Sequence, residues 1–414
     1  MMKEAIIVDT VPLWKRVVLL GFLVHVMFVY PTINRLDEQA FGNRIVLLLL
    51  LAAVFAAFHK QWLQFMVQPW DLSSGLLMSY LAFIVVSTFA SIAFGIQSPG
   101  SILTYGLNSF APLALYGCFV RFPARRFLIR AILVFTAVNI VFGAVTFGAL
   151  GLDIPFVTSL LQRWVFDPDA HRLGSLVGKS TVLGYLALFS FGWILFFHAG
   201  RARFPLLLFF GAAVILSFQR SMWAGLILVF VARCFHQSGI SKAKDAAIFA
   251  GATIVAIIGL SQLVAVEALA VLLSDRLIEF NVSDALAERG NQQLILNTEH
   301  VGQIVLGEGY GKYSPLNKAE NVLNLPDAPF HMIYNETGLV GLGLFVGMLL
   351  AFGLRALARN NLFQCWFIAH LILALIGSRI LWYFPLNFLV LMLMAMLKDD
   401  RADSPELLLQ ARPA

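Results

Sequence analysis

Ile45 to Ala57 reads IVLLLLLAAVFAA, and runs of this kind recur along the whole chain with charges gathered only at their ends. Lipid is the solvent that such runs fit. A backbone in hydrocarbon has to satisfy its own polar groups, which leaves helices or a closed barrel. A barrel needs alternating segments of about ten residues. These runs are continuous and about 17–25 residues long, the length that crosses a bilayer as helix. Composition agrees: 60% of the 414 residues are hydrophobic and 13% are charged, against about 25% charged in soluble domains.

The fold expected is therefore all-α, a polytopic membrane helix bundle of about 12 transmembrane helices. The spans fall at roughly 17–33, 44–59, 74–95, 102–120, 127–150, 180–198, 204–218, 221–235, 246–273, 329–354, 361–378 and 381–397. The 204–218 and 221–235 pair is short enough to read alternatively as re-entrant. Residues 1–273 hold helices one to nine, 274–328 form one long, partly helical loop, 329–398 hold helices ten to twelve, and 399–414 form a tail. The first apolar run is followed at once by others, so it reads as a span and not as a cleaved signal. No internal repeat stands out.

Basic residues orient the bundle. With both termini in the cytoplasm, inner segments carry 18 of the lysines and arginines and outer segments 11. The loop 274–328 then faces outside. The formal charge of +6 is scattered over the connections, which excludes a nucleic-acid footprint. Cys118, Cys234 and Cys365 lie in or beside apolar runs without metal-ligand spacing and read as small buried hydrophobes.

Four stretches carry chemistry. HRLGSLVGKSTVLGYLALF (171–189) sets Arg172 and Lys179 ahead of a span, with glycines that let backbone N–H groups approach an anion. Its spacing is not that of a Walker loop. ILSFQRSMWAGL (215–226) puts Arg220 in a tight hairpin on the outer side. A guanidinium stays charged when desolvated and grips phosphate as a fork. ERGNQQLILNTEHVGQIVLGEGYGKYS (288–314) reads as an amphipathic helix with Arg289 at its start, broken by the turn Gly307-Glu308-Gly309-Tyr310-Gly311.

PDAPFHMIYNETGLVGLGLFVG (326–347) opens a helix, with Asp327 as N-cap and Pro329 in the first turn. His331, Tyr334, Asn335 and Gly338 share one face, with Glu336 on another. Gly343 and Gly347 form a small-xxx-small pair suited to close helix packing. Arg379 is a further outer-end cation. Lone basic residues at span ends usually snorkel to the interface. Several on one face suggest an anion-binding cavity instead.

In order, these stretches resemble the bacterial O-antigen ligase and polysaccharide polymerase superfamily. The matching elements are Arg172 to Gly174; Ser217 to Arg220; Arg289 onward to Gly307, Gly309 and Gly311; and His331 with Glu336, Gly338 and Gly341. The resemblance covers about residues 170–350. The family's usual histidine stands about nine residues before the glutamate, and here that position is Asp327. The base is therefore either His331 or Asp327.

The resemblance implies metal-independent glycosyl transfer at the periplasmic face of the bacterial inner membrane, without a cofactor. The donor would be a saccharide on undecaprenyl diphosphate. Arg220 and Arg289 would clamp the diphosphate. Arg172, Lys179, Tyr334, Asn335, Glu336 and Arg379 would line the substrate pocket, and the loop would cover it. A chain-length regulator is an implied partner. The absent His-Asn pair favours a polymerase over a ligase toward lipid A core. A lipid-linked oligosaccharide flippase or secondary transporter is the competing class. It predicts charges buried mid-span, where these spans are almost bare.

Overall fold

The structure is a computed structural model. It describes residues 11–31, 41–93, 115–120, 122, 125–151, 180–198, 200–217, 220–236, 301–309, 329–377 and 386–397. Among these residues the regular structure is helical and no strand occurs. In chain order the helices are α1 (Leu13–Val24, continued by a π-turn over His25–Val29), α2 (Phe41–Val67), α3 (Leu72–Ala93), α4 (Arg125–Gly151), α5 (Ser180–Phe197), α6 (Arg203–Leu216), α7 (Arg220–His236), α8 (Val301–Leu306), α9 (Pro329–Ala358), α10 (Leu362–Gly377) and α11 (Leu386–Leu397).

Four segments are long and apolar enough to cross a membrane: Ile45–Val67, Leu72–Ala93, Arg125–Val145 and Ile333–Ala358. Only 28% to 44% of each is buried inside the protein. On α9 the outward stripe is Leu350, Leu354 and Leu357, at i, i+4 and i+7, each more than half exposed. Apolar stripes of this size in water would drive aggregation; in lipid they are the ordinary outer surface. α5, α6, α7 and α10 are apolar but shorter. The 14 residues of α6 rise only about 21 Å, against a hydrocarbon core of about 30 Å. The span expected at 246–273 lies outside the described residues.

α3 and α9 form the central antiparallel pair. The inner face of α3 is rich in small polar side chains, with Ser73, Ser74, Ser87, Thr88 and Ser91 all buried. Small residues let helix backbones approach closely. Thr88 satisfies its own hydroxyl by donating to the Ile84 carbonyl at 2.8 Å. One end of the pair is pinned by charge. Asp71 caps α3 by accepting from the Ser74 N–H at 3.0 Å, and it pairs with Arg355 in the last turn of α9.

Removing Asp71 deletes both contacts, together with the hydrogen bond that the Ser73 hydroxyl donates to its carboxylate at 3.1 Å. Asp71→Ala is expected to destabilise by about 1–2 kcal/mol, roughly 1 from the cap and up to about 1 from a partly exposed pair. Arg355→Ala, which spares the cap, should cost less than about 1 kcal/mol. Thermal unfolding in detergent gives the order, and equal shifts would remove the cap from the account.

The second layer is α5, α6, α7 and α10. Trp193, Phe196 and Phe197 at the C-terminal end of α5 meet Phe363 at the start of α10, with ring centroids 5.6, 5.6 and 5.1 Å apart. Tyr185 near the start of α5 meets His370 farther along α10, at 5.2 Å. The two helices are therefore antiparallel. α10 also packs on α9 and joins the two layers.

Candidate active site

The end of the bundle opposite the Asp71–Arg355 pair is built around glycine. α8 stops at Gly307, whose φ of 76° is the left-handed conformation of a helix C-terminus. The expected break at this turn is thus observed. The Gly307 N–H closes the last turn on the Gln303 carbonyl at 2.8 Å. The next two residues meet α9. The Glu308 N–H donates to the Asn335 carbonyl at 2.9 Å and the Gly309 N–H to the Glu336 carbonyl at 3.0 Å. The Ser91 hydroxyl of α3 donates to the Glu308 carbonyl at 3.2 Å.

α9 can receive these donors because it breaks at Gly338, where φ is 64° and ψ −167°. In an unbroken helix the Asn335 and Glu336 carbonyls would serve Leu339 and Val340. The break presents them to the loop. Contact is backbone on backbone. A Cβ on Gly307 would overlap the Glu336 carbonyl and the Thr337 nitrogen, and one on Gly338 would overlap the Val305 carbonyl.

The break also folds the helix over. Phe330 and Phe345 have ring centroids 6.2 Å apart, whereas fifteen residues of straight helix would separate their backbones by about 22 Å. The single span expected from 329 is therefore a short segment, Pro329–Thr337, followed by a membrane-length helix, Leu339–Ala358. The shared face expected for His331, Tyr334, Asn335 and Gly338 ends at Asn335, because Gly338 is the bend itself. Among the described residues the close approach expected at Gly343 and Gly347 does not occur. A Cβ on Gly343 would meet nothing within 4 Å, and one on Gly347 would make ordinary contact with Leu76. The tight positions are Gly338 and Gly341, the latter against Thr337 and Phe83.

Tyr334 and Asn335 are half-buried on the short segment, and Glu336 and Glu308 are buried, at 0% and 2% exposure. His331 stands on the same segment. Arg220 is the first residue of α7. Arg172, Lys179, Arg289, Asp327 and Arg379 lie outside the described residues.

A second glycine contact joins the other two motif stretches. Gly184 of α5 packs against Ser217, where a Cβ would sit 2.8 Å from the hydroxyl, and against Met222. Ser217 returns its hydroxyl to the Val214 carbonyl at 2.7 Å, and the Trp223 indole ties the hairpin to Ile215 at 3.1 Å. The antiparallel packing of α10 against α5 sets this contact at the same end as the Gly307–Gly338 contact. Described parts of all four stretches thus share one end. Most described cations occupy the other: Lys15, Arg16, Lys60, Arg125, Arg126, Arg130, Arg201, Arg203, Arg233, Arg355 and Arg359, against Arg44 and Arg220. Among the described residues no group of three His, Cys, Asp or Glu side chains gathers as metal ligands.

Two histidines outside the four stretches are buried. His370 is 1% exposed inside the apolar run LFQCWFIAHLILALIG. It stacks between Tyr185 and Trp366, and neither ring nitrogen has a hydrogen-bond partner among the described residues. His25 is buried where α1 passes into its π-turn, beside Tyr30. An ionisable residue within an apolar run was the available signal. These spans are almost bare of permanent charge but not of histidine.

Set against known proteins, the chain matches no family model and no curated protein.

Proposed function

We propose that this protein is a polysaccharide polymerase of the bacterial inner membrane, elongating an O-antigen or exopolysaccharide at the periplasmic face. The observation that carries the reading is that described parts of four separately recognised sequence elements share one end of the bundle. The gathering of cations at the opposite end supports placing the site outside, since cytoplasmic ends are the ones enriched in lysine and arginine.

In this reading the donor is a saccharide on undecaprenyl diphosphate. An acceptor sugar hydroxyl attacks the anomeric carbon, the bond to the diphosphate breaks, and the lipid diphosphate leaves with its electron pair. Inversion at that carbon follows from direct displacement. Arg220 and Arg289 stabilise the charge growing on the diphosphate. His331 or Asp327 takes the hydroxyl proton. Tyr334 and Asn335 are candidates for sugar contacts, and buried Glu336 supports the bend beneath them.

The test is polymerisation of purified lipid-linked repeat units by the reconstituted protein. Arg220→Ala and Arg289→Ala are expected to lower the rate by at least about 100-fold, the scale set by removing one transition-state donor. One of His331→Ala and Asp327→Ala should do likewise and thereby name the base. Wild-type chain lengths from all four variants would remove the assignment. Transfer to lipid A core in place of chain growth would redirect it to a ligase.

A further inference from the structure

The cation-rich end has a shape of its own on α1, α2 and α4. The Lys15 ammonium lies 5.3 Å from the Phe58 ring of α2 and 5.4 Å from the Trp14 ring. The Arg16 guanidinium lies 5.8 Å from the Phe127 ring of α4. These contacts draw the N-termini of α1 and α4 together, and helix N-termini carry partial positive charge. None of the three helices contains an aspartate or glutamate. The nearby Asp71 is engaged by Arg355.

One stripe of α4 continues from this charge into apolar surface. Arg126 and Arg130 are exposed on successive turns, and Val134, Val138, Val141 and Val145 follow on the same face. The valines are 49% to 60% exposed. From Val134 to Val145 the stripe rises about 16 Å, close to half of a hydrocarbon core of about 30 Å. Trp14 is 55% exposed beside the cations, as suits an indole at headgroup level.

We propose that this face binds one anionic phospholipid, its phosphate held by the Arg126–Arg130 pair, with Lys15 adding positive charge from the neighbouring α1, and an acyl chain lying along the valine stripe. A soluble anion would use the cations and leave the stripe idle. The stripe is what commits the site to a lipid. Nothing in this inference depends on the glycan-transfer reading.

The experiment uses the full-length protein in mild detergent, with native mass spectrometry after exchange into equal phosphatidylglycerol and phosphatidylcholine of identical chains. Wild type should retain phosphatidylglycerol preferentially. Each juxtamembrane cation contributes about a fivefold preference, the equivalent of ~1 kcal/mol. Arg126→Gln with Arg130→Gln should therefore weaken retention about 25-fold, and Lys15→Gln, on a different helix, about fivefold. Val134→Ser with Val138→Ser should weaken it with all cations intact. The control pair Arg201→Gln with Arg359→Gln should stay within about twofold. Equal retention of both lipids, an equal loss in the control pair, or full stabilisation by inorganic phosphate alone would overturn the proposal.

Discussion

Gly338→Ala is expected to disable the protein while leaving its helix bundle folded. The backbone at this position has φ 64° and ψ −167°, a region open to glycine and strained by about 1–3 kcal/mol for other residues. The added methyl would also overlap the Val305 carbonyl. Relief requires either straightening the bend or withdrawing α8. Both break the Glu308 and Gly309 hydrogen bonds to Asn335 and Glu336, worth about 1 kcal/mol each. A combined loss of about 3 kcal/mol or more corresponds to roughly 100-fold faster opening. Amide hydrogen exchange at Glu308 and Gly309 should show it, with exchange along α3 and α10 unchanged.

For the polymerase proposed above, polymer formation should fall at least as far, since displacement of a site by about 1 Å is enough to cost roughly 100-fold. Gly307→Ala attacks the same contact from the other side, at φ 76°. The two substitutions share one interaction, so their combination should be little worse than either alone. Additive effects would mean that the two glycines act separately and that the contact is not a unit.

The sequence is informative about what lipid demands and silent about what helices demand of each other. Apolar runs such as Ile45–Ala57 mark helices because backbone in hydrocarbon has few alternatives. α9 begins where expected at 329 but breaks at Gly338 and runs four residues beyond the expected end at 354, and α2 runs eight residues beyond its expected end at 59. Packing is harder to read. Leu349 and Leu350 are chemically identical, yet one is buried and the other faces outward. In water these faces would differ in polarity and give a periodic signal, whereas in lipid both are apolar.

The bend escaped for a related reason. Gly338 lies in a run that is helical on both sides, and glycine is frequent in membrane helices without any break. Only the loop that needs the freed carbonyls explains why this glycine, and not Gly343, turns the chain. The turn at Gly307–Gly309 was legible because clustered glycine is itself a local signal. Its destination on Asn335 and Glu336 was not, since that contact is long-range. His370 carries no permanent charge to mark it within its apolar run, although the residue itself is plain in the sequence.

Trp366→Ala is expected to be the most destabilising single truncation in the second layer. The indole is 2% exposed, lies over Gly192 where no Cβ would fit, and donates to the Gly225 carbonyl at 3.0 Å. Loss of so large a buried side chain costs about 3–5 kcal/mol. Trp366→Phe keeps much of the volume and removes only the indole hydrogen bond, since the Gly225 carbonyl keeps its donor within α7, which costs about 0.5–1.5 kcal/mol. His370→Phe should move the other way. It replaces a buried ring whose nitrogens lack partners among the described residues, and burying an unsatisfied polar group costs about 1–3 kcal/mol by protein mutational measures. Gly225 sets the limit on what can fit, because the imidazole already rests directly against it. A gain in thermal stability from His370→Phe with unchanged polymer yield would mark the histidine as a packing residue. A gain accompanied by loss of yield would mean that an unsatisfied, titratable ring is retained at a cost in stability for the activity, as intramembrane ionisable groups commonly are. A fall in stability would mean that the larger phenylalanine ring does not clear Gly225, against which the imidazole already rests.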